Sequence, residues 1–200
     1  MWNEGIFLLH TAIVMISLLM ALRLSKSALI GFICLQCVLA NLFVLKQTTL
    51  FGLSATCADA FTIGATLGLN LLQEYFDRFS AKITIYLNFF LLVFYAIISQ
   101  VHLLYTPSTF DHTQAHFGAL LAPMPRIVIA SLIAFFISQH VDYWLYGLLR
   151  KIWTHKWLVM RNYASISLSQ LVDTILFGFL GLYGLVENLG QIILVAYTVK

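Results

Sequence analysis

Charge is scarce in this chain. Asp, Glu, Lys and Arg make up 10% of its 200 residues, and 61% are hydrophobic. A soluble globular domain carries about 25% charged residues, so that class is excluded. Alternation of apolar and polar residues is missing too. That excludes a bilayer-spanning β-barrel and leaves continuous apolar runs of helical length. The signatures HExxH, GxSxG and a Gly-rich phosphate loop are absent, which argues against an enzyme and gives no reason to expect a cofactor or a metal. Cysteine is limited to Cys34, Cys37 and Cys57. The Cys34–Cys37 spacing resembles a redox motif, but it lies in an apolar run with no βαβ pattern around it and reads as packing. No basic segment precedes the first apolar run, so that run reads as a span, not a cleavable signal peptide. The net charge of +3 sits in short inter-helix loops and points to no direct nucleic-acid binding.

What is present is a series of apolar segments at about 5–22, 27–45, 53–72, 83–104, 124–148 and 164–186, near the ~20 residues that a bilayer core requires. The expectation is an all-α membrane protein: a bundle of about six transmembrane helices forming one integral membrane domain over 1–200. The tail from Glu187 is apolar but too short to cross. Arg23, Lys26, Arg78, Lys82, Arg150, Lys151, Lys156 and Arg161 fall in loops one, three and five, against Lys46, Arg126 and Lys200 on the other side. The excess of basic residues in short cytoplasmic loops then places loops one, three and five in the cytoplasm and both termini outside.

Polar residues inside the spans carry the functional signal. Asp173 lies near the middle of the sixth segment. An ionisable residue at that depth costs roughly 2.5–3.5 kcal/mol on the insertion scale and normally faces a bundle interior or a water-filled path. Ser169 and Gln170 precede it by four and three residues and share its face. Asn70 and Glu74 pair in the same way in the third segment, with Asp59 near its start. In the fifth, Gln139 and Asp142 lie three apart and Ser138 and Asp142 four apart. Asn41 faces the same outer half as Asp59. Arg126 reads either as an interfacial anchor or as a partner for Asp59. His140 and Asp142 sit about 200° apart on a helix, which argues against a catalytic pair. The third, fifth and sixth segments are polar, whereas the first and fourth are nearly all apolar, so lipid-facing helices are expected around a polar core. Interhelical glue and a ligand site both fit these groups.

The pieces ANLFVLK, NLLQEYFDR, PRIVIASLIAFFISQHVDYWLYGLLRK and RNYASISLSQLVDTILF keep an order and spacing that resembles the vitamin-uptake-like queuosine precursor transporters of bacteria, from about Ala40 to Lys200. The resemblance implies uptake, across the bacterial inner membrane, of 7-cyano- or 7-aminomethyl-7-deazaguanine or queuine for tRNA modification. It also implies a likeness to the substrate-binding components of energy-coupling-factor transporters. A guanine-like edge offers N–H donors to a carboxylate and a carbonyl to an amide or Arg. Asp173 with Gln170 is the best candidate for that edge. Ser169, Asn70, Glu74, Gln139, Asp142, Asp59, Asn41 and Arg126 are the further binding candidates. Two departures stand out. The family commonly has Asp at the position of Asn70, and its members usually continue past the YTVK-like segment into another helix, without which a polar groove would be open on one side. The other readings left open are a substrate-binding subunit with an energising partner, a homo-oligomer, and an intramembrane enzyme or structural subunit.

Overall fold

The computed structural model describes residues 2–152 and 158–199. The expected basic residue Lys156 lies outside the described residues, as do the side chains of Arg150, Lys151, Arg161 and Asn162. The chain runs through α1 (Trp2–Leu24), α2 (Lys26–Phe43), a hairpin of β1 (Gln47–Leu50) and β2 (Leu53–Thr56), then α3 (Asp59–Tyr75) and α4 (Arg78–Leu103). After α5 (Gln114–Leu121) come α6 (Met124–Ile152), α7 (Leu158–Phe177) with a π-helical turn over Gly178–Leu182, and α8 (Leu189–Val199). Among the described residues, five helical stretches are long and apolar enough to cross a membrane: Trp2–Leu24, Lys26–Phe43, Arg78–Leu103, Gln114–Leu149 and Tyr163–Leu182. The protein is an all-α membrane bundle, as its composition demands.

The third segment departs from expectation. Its first residues, Leu53–Thr56, form β2 and pair antiparallel with β1, Gln47 opposite Thr56 and Leu50 opposite Leu53. The reason is local. Thr48, Thr49 and Thr56 favour a pleated strand over a helix, and Phe51 and Gly52 turn the chain with φ of 50° and 80°. Positive φ at both central residues suits the right-handed twist of a two-residue hairpin. The helix therefore starts at Asp59, and its 17 residues span about 25 Å, short of the ~30 Å hydrocarbon core. A second departure is α5, which forms between the fourth and fifth apolar segments, outside every expected span.

Caps and contacts organise the two ends of the bundle. At one end, Ser25 caps α2 by accepting from the Ala28 amide at 3.0 Å. Asp77 caps α4 by accepting from Ser80 N at 2.6 Å, and its second oxygen holds Lys26 Nζ at 2.8 Å. One carboxylate thus starts α4 and pins it to α2. The Lys26 ammonium, followed by the Ser80 hydroxyl and amide, holds the Asp77 carboxyl well below its ordinary pKa. At the hairpin end, Asn3 Nδ2 donates to Thr49 O at 3.1 Å and Phe51 N donates to Glu4 Oε1 at 3.0 Å. Ser54 N reaches Gln191 Oε1 at 2.9 Å, which ties the hairpin to α8.

Helix α3 packs against α1 and α2 through Gly64 and Gly68, one turn apart. A Cβ on Gly64 would lie 2.4 Å from Val14 Cγ1, and one on Gly68 would lie 2.6 Å from Ile33 Cγ1. Two glycines at this spacing let helix backbones approach closely where lipid supplies no hydrophobic drive. Leu18, Leu29, Ile33 and Leu72 are fully buried at this junction. Helix α4 turns an apolar face outward, with Phe79, Ile83, Tyr86, Phe90, Phe94 and Ile97 exposed. Its inward row is Ser80, Thr84, Asn88, Leu92, Ala96 and Ser99. The segment read as nearly all apolar therefore aims most of its few polar groups at the bundle interior.

Candidate functional site: a polar cavity between five helices

A cavity of about 590 Å³ lies among α2, α3, α4, α6 and α7. Small-molecule sites run from about 300 to 1,000 Å³, so one heterocycle fits with room to move. Each wall combines an amide, hydroxyl or carboxylate with apolar surface. Helix α2 contributes Asn41, and α3 contributes Asp59 at its first residue, then Thr62, Thr66, Asn70 and Gln73. Helix α4 contributes Asn88 and Phe89, and α6 contributes Ser131, Phe135, Ser138 and Gln139. Helix α7 contributes Gln170, Asp173, Thr174 and Phe177. The floor lies toward the hairpin, where Thr56 and Ile192 close it. Asn41, Thr56, Asp59, Asn88, Ser138 and Thr174 are buried, whereas Thr66, Asn70, Gln73 and Gln139 are exposed. The cavity therefore opens away from the hairpin, at the end where Asp77 meets Lys26.

Several hydroxyls on this lining are already satisfied. Thr174 Oγ1 donates to Gln170 O at 2.8 Å, and Ser138 Oγ donates to Phe135 O at 3.0 Å. Asn41 Nδ2 donates one turn back to Cys37 O at 2.8 Å. Phe89 and Phe135 meet edge to face, centroids 5.4 Å apart and planes at 84°, which builds an aromatic corner. Among the described residues, no group of three or more His, Cys, Asp or Glu side chains could hold a metal ion.

The sequence candidates divide by position. Asp173, Gln170, Asn70, Gln139, Asp59 and Asn41 line the cavity. The other four do not. Glu74 is exposed near the end of α3; it follows Asn70 by one turn, but α3 ends at Tyr75, so it emerges from the bundle. Asp142 is turned toward α7, where Ser165 Oγ donates to its Oδ1 at 2.5 Å and to its backbone oxygen at 3.0 Å. Ser165 is 1% exposed, so this is a clasp between two tightly packed helices. Ser169 is buried and donates to Ile166 O at 3.0 Å. Arg126 does not reach Asp59. Its Nε donates to Leu180 O at 2.9 Å and its Nη2 to Tyr183 O at 2.7 Å, satisfying carbonyls that the π-helical turn leaves open. Asn88 and Gln73 were missed by sequence reasoning. The signal for Asn88 was available: a lone amide in the run YLNFFLLVF.

Apolar helices thus enclose a solvent-open cavity lined by amides and carboxylates in a membrane protein. The chain belongs to the family described as "Putative vitamin uptake transporter", whose sequence model its residues 56–200 match. A "Probable queuosine precursor transporter" of Bacillus subtilis (strain 168) is 31% identical over 188 residues, covering 92% of this chain and 82% of that protein. No solved structure matches the chain.

Proposed function

We propose that this protein carries 7-deazaguanine precursors of queuosine across the bacterial inner membrane, taking up 7-cyano- or 7-aminomethyl-7-deazaguanine or the free base queuine. The observation that carries the reading is Asp173 beside Gln170 on one wall of a cavity of the right size, in a chain related to a protein named for queuosine precursors. A carboxylate accepts from the N–H groups of a guanine-like edge, and an amide pairs with either a donor or an acceptor. Phe89, Phe135 and Phe177 offer flat faces on which a base stacks. With loops one, three and five in the cytoplasm, the open end of the cavity faces the cytoplasm and the hairpin covers the outer side. Uptake then requires a second arrangement in which the hairpin end opens. Arg126, Glu74, Asp142 and Ser169 support the bundle in this reading.

The test is rescue. A bacterial host unable to make or import queuosine precursors, with its downstream enzymes intact, receives this gene and one deazaguanine compound at low concentration. The expected result is queuosine in tRNA. Asp173→Asn should reach the membrane at normal abundance and lose uptake. Folded, membrane-inserted wild-type protein that rescues with none of the compounds would overturn the assignment. Loss of folded Asp173→Asn protein would make Asp173 a structural group.

A further inference from the structure

The lining of the cavity is one-sided in charge and in hydrogen bonding. Among the described residues that line it, Asp59 and Asp173 are carboxylates and none is Lys, Arg or His. Basic groups of the bundle are placed elsewhere. Arg126 is held by the Leu180 and Tyr183 carbonyls and Lys26 by Asp77, and Lys46 is exposed beyond the end of α2. Hydroxyl protons are committed as well. Thr62, Thr66, Ser138 and Thr174 each donate to a backbone carbonyl one turn back, so their oxygens are left with lone pairs to offer. Asn88 adds a further acceptor on α4: it is 7% exposed, and its Oδ1 has no donor. A buried site with negative charge and surplus lone pairs complements a cation rich in N–H groups.

We propose that the cavity selects 7-deazaguanines whose 7-substituent carries a protonated amine, with Asp59 taking the ammonium while Asp173 takes the N–H edge. This rests on the deazaguanine reading and deepens it. An aminomethyl group is an alkylamine, like the lysine side chain, and is charged at neutral pH. Its N–H bonds suit a carboxylate and the lone pairs around it. A cyano group is neutral and brings only another lone pair to a lining already rich in them. Asp59 is 4% exposed, is the first residue of α3 and lies at the closed floor just after Thr56, on a different helix from Asp173. Taking an ammonium out of water is costly, and a carboxylate already fixed at the floor is what offsets that cost. A helix N-terminus also favours a carboxylate, so the experiment has to separate binding from a structural role.

Binding is measured on the purified full chain in detergent, where no membrane potential acts on a charged ligand. Radiolabelled 7-aminomethyl-7-deazaguanine is displaced by its unlabelled form, by 7-cyano-7-deazaguanine, and by 7-hydroxymethyl-7-deazaguanine, a neutral compound of nearly the same shape. All keep the same guanine edge, so only the 7-substituent differs. Wild type should prefer the aminomethyl to the cyano compound by about ten- to a hundredfold, as one charged hydrogen bond provides, with the hydroxymethyl compound between them. Asp59→Asn should shrink both ratios toward one, whereas Asp173→Asn should weaken all the compounds together. Should Asp59→Asn fail to accumulate, Asp59→Ser, which keeps an oxygen at the helix start, takes its place. Thermal unfolding without ligand reads the stability cost of each variant. Equal wild-type affinities for the compounds would overturn the proposal and leave the transport assignment standing. Ratios that survive in the Asp59 variants would do the same. So would an equal loss for every compound with a lowered Tm, which would make Asp59 a helix-start residue only. Folded wild-type protein that binds none of the compounds would overturn the assignment and this inference with it.

Discussion

Replacing Gly64 with alanine should weaken the protein, and the same change at Gly31 should strengthen it. The sign follows from what the new methyl group meets. At Gly64 it would lie 2.0 Å from Gln36 Oε1 and 2.4 Å from Val14 Cγ1. The amide of Gln36 can swing away, but Val14 is β-branched and holds one rotamer on a helix. Restoring ordinary contact therefore means parting α1 and α3 by about 1 Å. Overpacking of this kind costs about 1–3 kcal/mol, and alanine returns about 1 kcal/mol of helix propensity. Two overlaps at one position place the net loss at about 1–2 kcal/mol. At Gly31, in the middle of α2, nothing lies within 4 Å. Only the propensity gain remains, about 1 kcal/mol. For a chain of this size each kcal/mol moves Tm by about 2–4 °C. Thermal unfolding of the two variants in one detergent, at one scan rate, reads the difference directly. A rise in Tm for both variants would mean that α3 does not approach α1 this closely, and the packing argument would fall.

Two further predictions concern the polar contacts. Ser165→Ala should cost about 1–3 kcal/mol by leaving the Asp142 carboxylate without its buried donor; a lower Tm with an unchanged uptake KM would check that the clasp is structural. Because Lys26 and Ser80 lower the folded-state pKa of Asp77, the contribution of this cap is fully present above about pH 4, the ordinary carboxylate range. It is lost as pH falls through the lowered folded value. Both partners are more than a third exposed, so solvent screening keeps the effect small. Asp77→Asn should flatten the acid limb of stability below about pH 4 while leaving the neutral plateau slightly lower, as an unfolding series against pH would record.

Composition and apolar run length determined the class of this protein. A chain with so little charge must satisfy its backbone internally and so forms helices in lipid. The placement of Asp173, Gln170, Gln139, Asn70, Asp59 and Asn41 on interior faces followed from the same cost, because each is too polar for the lipid side. Helical spacing relates residues of one helix, and only packing decides what lies across from them. Asp142 shares a turn with Gln139, yet Ser165 on α7 claims its carboxylate. Arg126 is at a depth that allows Asp59, yet open carbonyls at the end of α7 hold its guanidinium. The hairpin at Gln47–Thr56 was hidden by apolar residues that serve a strand as well as a helix, and its turn is legible only from the paired positive φ at Phe51 and Gly52. Asn88 lies in a segment read only as nearly all apolar; the tertiary structure decided that its row faces inward, because α2, α3 and α6 all pack against α4.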